Sequence, residues 1–194
     1  MPLFLIRRGF GGASETDLDA AAFRALACAP YYPGMRWERS YWDPAAELTY
    51  CLYQAGSEET IRLHAERAQI PCDDVREVQE VLPATFGAPA RPAPGDGPDI
   101  LSPEPAPPTL FAIRRPFPGA TANDLDAAAI RALFCLQDGV HWQRSFWDPT
   151  AEETLCVYEA RAAADLREHS RRSRLPVTEV CAVEEILPER FENA

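Results

Sequence analysis

The sequence predicts an α+β protein made of two ferredoxin-like βαββαβ repeats that form an intramolecular pseudo-dimer. The first observation behind this prediction is an internal duplication that spans most of the 194 residues. The second is that each copy shows the same succession of strand and helix patterns, which is the order of a split βαβ unit. The third is a hydrophobic content of 46%, enough to fill a core. A sheet of this kind carries helices on one face, so a second copy can cover the bare face.

The duplication is evident from matching segments. Residues 37–44 (Trp-Glu-Arg-Ser-Tyr-Trp-Asp-Pro) recur as 142–149 (Trp-Gln-Arg-Ser-Phe-Trp-Asp-Pro). Between the copies, residues 87–108 contain eight prolines together with alanine and glycine, which predicts a semi-rigid linker. We therefore divide the chain into a first repeat (1–86), a linker (87–108) and a second repeat (109–194).

Each repeat begins with a strand, a helix and a second strand. Residues 3–8 form a short apolar run that is typical of a strand. Residues 17–28 are rich in alanine and place apolar residues at helical spacing, and Thr16 or Asp17 can cap this helix. Residues 35–42 are an aromatic strand, which ends at an Asp-Pro turn.

The second half of the repeat continues the same alternation. Residues 48–54 are predicted to form a hairpin with the aromatic strand before them. Residues 57–69 are predicted to be a helix, since Ser57 can cap it and two glutamates occupy its first turn. Residues 75–82 alternate between apolar and polar side chains, which indicates the last strand.

Composition excludes several functional classes. All 19 basic residues are arginine, so enzymes that depend on a lysine (Schiff-base, pyridoxal phosphate and P-loop enzymes) are excluded. The net charge of −11 argues against a nucleic-acid partner. Six cysteines are too few for a disulfide scaffold, and no apolar stretch approaches the roughly 20 residues of a membrane span. We expect a cytoplasmic protein with reduced thiols, no membrane partner, and further self-association left open.

The aromatic strand is the first candidate site. Strict alternation places Trp37, Arg39 and Tyr41 on one face, and the second repeat places Trp142 and Arg144 likewise. One interpretation is a Trp-rich core along which arginine stems pack. The other is a cavity between sheets in which Arg39, Arg144, Trp37 and Trp142 bind an anionic or aromatic ligand. Arg7, Arg8, Arg114 and Arg115 on the first strands would add to this cavity.

His141 has no histidine counterpart in the first repeat, where Arg36 stands. Its imidazole is a candidate catalytic base or ligand at this cavity, because histidine titrates near neutral pH. The alternative is a half-exposed strand residue without a role. No Ser/His/Asp arrangement recurs in the two halves, so hydrolytic catalysis has little support.

Cysteine and histidine also recur together. Cys51 precedes His64 by 13 residues, and Cys156 precedes His169 by the same spacing. Thiolate and imidazole suit a divalent metal such as nickel, copper or zinc. The spacing is not that of a zinc finger, however, and a cysteine in an apolar strand is often simply a buried hydrophobe.

Several segments together resemble a family of small nickel-binding, ferredoxin-like proteins that carry a domain of unknown function. The segments are residues 2–8, residues 35–41, Cys51-Leu52-Tyr53-Gln54-Ala55 and Ile61-Arg62-Leu63-His64-Ala65. The resemblance implies a ferredoxin-like fold, pairing of two units and nickel binding. It carries the family histidine to His64 and His169, and the family Cys-x-Tyr-Glu-Ala pattern to Cys156, Tyr158 and Glu159. The first repeat departs from that pattern, since Gln54 stands where glutamate is typical.

The sequence therefore predicts a protein that binds a divalent metal, nickel first. The predicted ligands are Cys51, His64, Cys156, His169 and Glu159. The alternative is an enzyme or small-ligand-binding module of the dimeric α+β-barrel type that uses the Arg/Trp/His cavity. A third interpretation is a structural interaction protein. No particular reaction is predicted.

Overall fold

The structure is a computed structural model that describes residues 1–88 and 108–192. Most of the predicted linker, residues 89–107, lies outside the described residues. The chain divides into two compact units. Unit 1 comprises Met1–Glu80, Phe146–Ala151 and Cys181–Ala194, and unit 2 comprises Val81–Ser145 and Glu152–Val180.

The predicted α+β class and the order of elements in each repeat are confirmed. In chain order the elements are β1 (Leu3–Gly9), α1 (Glu15–Cys28), β2 (Arg36–Asp43), β3 (Leu48–Gln54), α2 (Glu58–Ala68), β4 (Asp74–Val81), β5 (Thr109–Pro116), α3 (Ala122–Phe134), β6 (His141–Asp148), β7 (Glu153–Ala160), α4 (Ala163–Ser173), β8 (Glu179–Ala182), β9 (Glu184–Ile186) and α5 (Glu189–Glu192). None of the helices in these described parts of the chain has the length and apolar character needed to cross a membrane.

The sheet of unit 1 has the order β4-β1-β3-β2-β9, and its neighbouring strands run antiparallel. Unit 2 repeats the first four positions as β8-β5-β7-β6. In both, the last strand of the βαββαβ unit lies beside the first, as the split βαβ arrangement requires. The final strand of the second repeat differs from the prediction, because it is broken into β8 and β9. β9 pairs with β2 in unit 1, where Ser40 lies opposite Ile186.

The start of α1 also differs from the prediction. Ser14 is the N-cap, and its Oγ accepts a hydrogen bond from the backbone N–H of Asp17 at 3.3 Å. The Asp17 carboxylate accepts in return from the Ser14 N–H at 2.9 Å, which completes a capping box. Asp17 is therefore the third helical residue rather than the cap, and Thr16 is inside the first turn.

A β-bulge in β2 corrects the predicted faces of the aromatic strand. The register of β2 against β3 shifts between Trp37 and Arg39. Because a bulge inserts one residue, alternation restarts after it. Trp37 therefore shares its face with Ser40, and its Nε1 donates to the Ser40 Oγ at 3.0 Å. Arg39 lies on the opposite face with Tyr41.

The core of each unit lies between one face of the sheet and its helices. In unit 1, Trp37 stacks on Tyr53 with ring centroids 6.3 Å apart, and on Phe191 at 6.0 Å. In unit 2, Trp142 stacks on Tyr158 at 6.4 Å. The tryptophans of the aromatic strands are therefore core residues on the helix-covered face.

Candidate functional site

A buried arginine occupies this helix-covered face in each unit. Phe4, Ile6 and Arg8 alternate along β1 and point to the same side. Arg8 lies directly opposite Thr49 on β3, and Ile6 lies opposite Cys51. Arg8 is only 2% exposed, a rare degree of burial for an arginine.

Unit 2 repeats this arrangement with Arg115. It lies opposite Thr154 on β7, next to the pair formed by Ile113 and Cys156. Arg115 is 1% exposed. Because the same buried cation occurs twice at equivalent positions, the arginine is part of the repeated design of the fold.

Each arginine uses one donor to hold the start of the segment that follows the second helix. Arg8 Nη1 donates to the Pro71 carbonyl, and Arg115 Nη1 donates to the Pro176 carbonyl at 2.9 Å. In the described part of the chain, the buried Arg8 Nη2, Arg115 Nε and Arg115 Nη2 have no hydrogen-bond partner. These N–H groups have given up water without a replacement, which is costly for a charged group.

The surroundings of Arg8 are aromatic and sulfur-containing. Its guanidinium carbon lies 5.8 Å from the centre of the Tyr53 ring. Burial alone lowers the pKa of Arg8, but the nearby Cys51, Tyr53 and Cys72 raise it, and the net pKa lies above the ordinary value. Burial likewise raises the pKa of Tyr53, so this phenol stays neutral. Arg8 therefore remains a cation inside the unit.

A buried histidine lies close by in each unit. His64 and His169 are both 0% exposed. His64 Nε2 lies 2.9 Å from the carbonyl oxygen of Ala25, and His169 Nδ1 lies 3.2 Å from that of Cys135. A carbonyl can only accept, so the bonded nitrogen carries the proton in each ring. The other nitrogen, Nδ1 of His64 and Nε2 of His169, then carries a lone pair and has no partner among the described residues.

The environment keeps both imidazoles neutral. Burial lowers the pKa of His64, the charge of Arg8 lowers it further, and the hydrogen bond to Ala25 opposes them. The pKa of His169 is lowered for the same reasons, with Arg115 as the nearby charge. A neutral ring with one nitrogen fixed by a carbonyl presents the other as a ligand atom.

The repeated cysteines lie on the same face as the arginines. Cys51 Sγ donates to Thr49 Oγ1 at 3.3 Å, and Cys156 Sγ lies 3.2 Å from Thr154 Oγ1. Both cysteines are buried and are among the six free thiols. The structure thus brings cysteine and histidine to the same helix-covered core of each unit, with Tyr53 or Tyr158 against the histidine ring at 5.8 and 5.5 Å.

Unit 1 has a small, partly open cavity between α1 and the sheet. Its volume is about 40 Å³. The polar groups that line it belong to Arg8, Ser40, Thr49, Cys51 and Tyr53. The α1 side of the cavity is apolar and consists mainly of alanines 21, 22 and 25.

The residues predicted to line one Arg/Trp cavity do not lie together around this cavity. Arg39 forms an ion pair with Glu185, with Nη1 and Oε1 2.5 Å apart. Trp37 lines the cavity but from the face opposite to Arg39, and Trp142 is equally on the helix-covered face of unit 2. His141 is exposed at the first position of β6, next to Trp142. The cavity arginine is therefore Arg8, which the sequence predicted only as an addition to Arg39 and Arg144.

A sequence signal for Arg8 did exist. Arg8 lies two residues after Ile6 and four after Phe4, so the alternation of a strand places its side chain on the same, core-facing side as these apolar residues. Arg115 has the same relation to Phe111 and Ile113. Alternation also separates Arg8 from Arg7, because neighbouring side chains of a strand point in opposite directions.

The cysteine and histidine donor atoms can be compared with those that nickel requires. In each unit the repeated pair offers a thiol, of Cys51 or Cys156, and an imidazole nitrogen with an unused lone pair, and nickel accepts both donor types. Glu159 lies two residues from Val157, on the face of β7 opposite to Cys156 and Tyr158. Within residues 1–88 and 108–192, no three His, Cys, Asp or Glu side chains are grouped closely enough to hold a metal. The donor types fit, and the protein supplies two of them per unit.

Comparison with known proteins adds the family. The family described as nickel responsive protein SCO4226-like matches residues 4–78 and 111–183. SCO4226 from Streptomyces coelicolor A3(2) is 30% identical over a match that covers 39% of this chain and 94% of that chain, with a TM-score of 0.36. Among the curated proteins, no sequence matches this chain.

Two longer structural matches extend over nearly the whole chain. A chlorite dismutase mutant from Candidatus Nitrospira defluvii is 10% identical, covers 99% of this chain and 93% of its own, and has a TM-score of 0.51. An anthrone oxidase-like protein is 12% identical, covers 96% and 93%, and has a TM-score of 0.49. At such identities the likeness concerns the fold alone. Because the family matches once in each repeat, the chain belongs to the nickel responsive SCO4226-like family and carries the family domain twice.

Proposed function

We propose that this chain binds nickel, with one binding site in the core of each unit. His64 and Cys51 are the protein ligands in unit 1, and His169 and Cys156 are their equivalents in unit 2. The observation that carries the proposal is a buried ring nitrogen, Nδ1 of His64 in unit 1 and Nε2 of His169 in unit 2, that has no partner within residues 1–88 and 108–192. Membership of a nickel-responsive family supports the choice of metal.

The chain's own residues prepare these ligands. The carbonyl oxygens of Ala25 and Cys135, near the ends of the first helices, fix the orientation of the two rings. Such a partner is the usual support of a metal-bound histidine. When bound, nickel would accept electron pairs from the imidazole and from the thiolate, and water or a small ligand would complete its coordination.

The experiment is metal analysis of the full chain purified without an affinity tag, followed by calorimetric titration with nickel. The test variant is His64→Gln/His169→Gln, in which both rings are replaced by a side chain of similar polarity. The matched control is His141→Gln, which removes the third, exposed histidine. We expect about two nickel ions per chain in the wild type and the control, and none in the double variant. Nickel binding that survives the double substitution, or is missing from the wild type, contradicts the proposal.

The thiols are tested separately. Cys51→Ser/Cys156→Ser replaces the soft ligand by a hard one, and we expect nickel affinity to fall by about tenfold or more. Cys28→Ser is the control, since Cys28 lies on α1. Glu159 stays a sequence-based prediction, and Glu159→Gln decides whether it contributes. Because Glu159 lies on the face of β7 opposite Cys156, we expect the nickel affinity of Glu159→Gln to be unchanged.

We also propose that the two repeats act as one intramolecular pseudo-dimer. The supporting observation is that unit 1 includes residues 181–194 from the second repeat, while unit 2 includes residues 81–86 from the first. Neither repeat then completes its unit alone. Proteolytic cleavage between residues 89 and 107 should leave two fragments that elute together at the size of the 21.5 kDa chain. Fragments that separate without denaturant would refute this.

A further inference from the structure

We propose that the cavity of unit 1 is a binding site for a compact monovalent anion, held by Arg8. Arg115 would hold a second such anion in unit 2. The proposal concerns the nickel-free chain, in which Cys51 is a thiol, and it depends on the arginine and on hydroxyl donors rather than on the histidine ring. The ligand class is an anion of one to a few atoms, such as a halide or formate.

The first argument is charge. Arg8 and Arg115 are almost fully buried, and within the described residues neither forms an ion pair with a carboxylate. A buried charge is normally paired, because desolvation of an isolated ion is unfavourable by far more than one hydrogen bond returns. A bound anion supplies the missing negative charge.

The second argument is the direction of the hydrogen bonds around the cavity. Ser40 Oγ accepts from Trp37 Nε1, and Thr49 Oγ1 accepts from Cys51 Sγ. With their oxygens used as acceptors, both hydroxyls keep a proton to donate. Arg8 Nη2 adds a donor that has no partner in the described residues. The polar lining of the cavity is thus rich in donors, and it contains no carboxylate.

The third argument is size. One water needs roughly 10–15 Å³ of such a cavity, so about 40 Å³ gives room for a group of up to about three atoms. A phosphorylated metabolite or a nucleotide is therefore too large. The three alanines of α1 keep the space open, because any larger side chain at those positions would extend into it.

Unit 2 repeats the chemistry independently. Trp142 Nε1 donates to Ser145 Oγ at 3.0 Å, just as its equivalent does in unit 1. Thr154 and Cys156 repeat the hydroxyl–thiol pair. Nε and Nη2 of Arg115 have no partner in the part of the chain that the structure describes, and together they form the edge that a guanidinium offers to an anion.

Bromide is the probe. The full chain is treated with EDTA and titrated with sodium bromide against sodium methanesulfonate, a bulkier anion, at equal ionic strength. We expect bromide to raise the thermal unfolding midpoint, and crystals grown in bromide to show anomalous peaks beside Arg8 and Arg115. The affinity should fall by roughly tenfold or more in Arg8→Gln/Arg115→Gln, the loss expected for a charged hydrogen-bond donor.

Two further variants separate anion binding from a general effect of charge or folding. Arg7→Gln removes the same charge from the exposed neighbour and should leave both the stabilisation and the peaks unchanged. Ala21→Val retains Arg8 but fills the cavity, and should abolish the peak beside Arg8 while the Arg115 peak remains. Ordered water without anomalous signal beside the arginines, or equal bromide effects in all variants, would overturn the proposal. Neither outcome bears on nickel, which is absent from the EDTA-treated protein.

Discussion

Protonation of the two buried histidines should make the protein lose stability as the pH falls from 6.5 towards 5.5. In the unfolded chain, histidine has a pKa of about 6.5. In the folded state the pKa of His64 is lowered, by burial first and then by the charge of Arg8, and the pKa of His169 is lowered likewise. At pH values between the folded and the unfolded pKa, the unfolded chain binds more protons than the folded chain. The free energy of unfolding therefore decreases as the pH decreases through this window.

The groups around the ring support this sign. Besides Arg8, the ring of His64 contacts the rings of Tyr32 and Tyr53, at centroid distances of 5.6 and 5.8 Å. The Ala25 carbonyl accepts from the ring and opposes the shift. No carboxylate is among the groups that shift its pKa, so the Ala25 carbonyl alone among them favours the protonated ring. A histidine that stays neutral while its unfolded counterpart protonates reduces stability by at most about 1.4 kcal/mol per pH unit. Two such histidines set an upper limit of about 2.7 kcal/mol between pH 6.5 and 5.5.

The assay is urea unfolding of the EDTA-treated chain, followed by tryptophan fluorescence at pH 7.5, 6.5, 6.0 and 5.5. The wild type should be least stable at the lowest pH, with little change above 6.5. His64→Gln/His169→Gln should show a flatter dependence, whereas His141→Gln should keep the wild-type slope. If the wild type and the double variant have equal slopes, or stability rises on acidification, the account of the two histidines is wrong.

Two further predictions concern packing and the backbone. Ile61→Ala and Leu166→Ala, at equivalent positions that are 0% exposed, should each lower the free energy of unfolding by about 2–5 kcal/mol in urea titrations, while Leu63→Ala should change it by less than about 0.5 kcal/mol. A loss in Leu63→Ala as large as in Ile61→Ala would show that the packing has been misjudged. Gln69 ends α2 with φ of 52°, so Gln69→Gly should raise stability by about 0.5–1 kcal/mol, measured by the same titration. A lower stability in the glycine variant would contradict strain at this position.

Much of the local structure could be predicted because its signals are local. The alternation in residues 3–8, the alanine-rich helix and the hairpin all depend on neighbours in sequence, and the observed elements begin and end within about two residues of the predicted ones. The bulge after Trp37 could not be predicted in this way. It depends on how β2 pairs with β3, and it moves Arg39 to the face opposite Trp37.

The position of the candidate site, although not its role, could be predicted in part from the sequence. Pairing Cys51 with His64 by their repeated spacing selected two residues that do lie in one core, and the same holds for Cys156 and His169. The sequence assigned Arg8 to a cavity only together with Arg39 and Arg144, and its burial in the core was not predicted, because arginine ordinarily faces water. Alternation along β1 favours burial of Arg8. The pairing of β1 with β3, which places Thr49 and Cys51 on the same face, is needed to show that Arg8 belongs to the site.

The sequence by itself determined the duplication, the βαββαβ order of each copy, the positions of the repeated cysteine and histidine, and the resemblance to a nickel-binding family. These features follow from residue patterns along the chain, which can be recognised without knowing any distance between atoms. The tertiary structure decided which ring nitrogen lacks a partner among the described residues and that Arg8 and Arg115 are buried with no carboxylate partner there. It also decided that β9 completes the sheet of unit 1. Those facts depend on contacts between residues far apart in the chain, where burial and hydrogen-bond direction, rather than residue type, determine the chemistry.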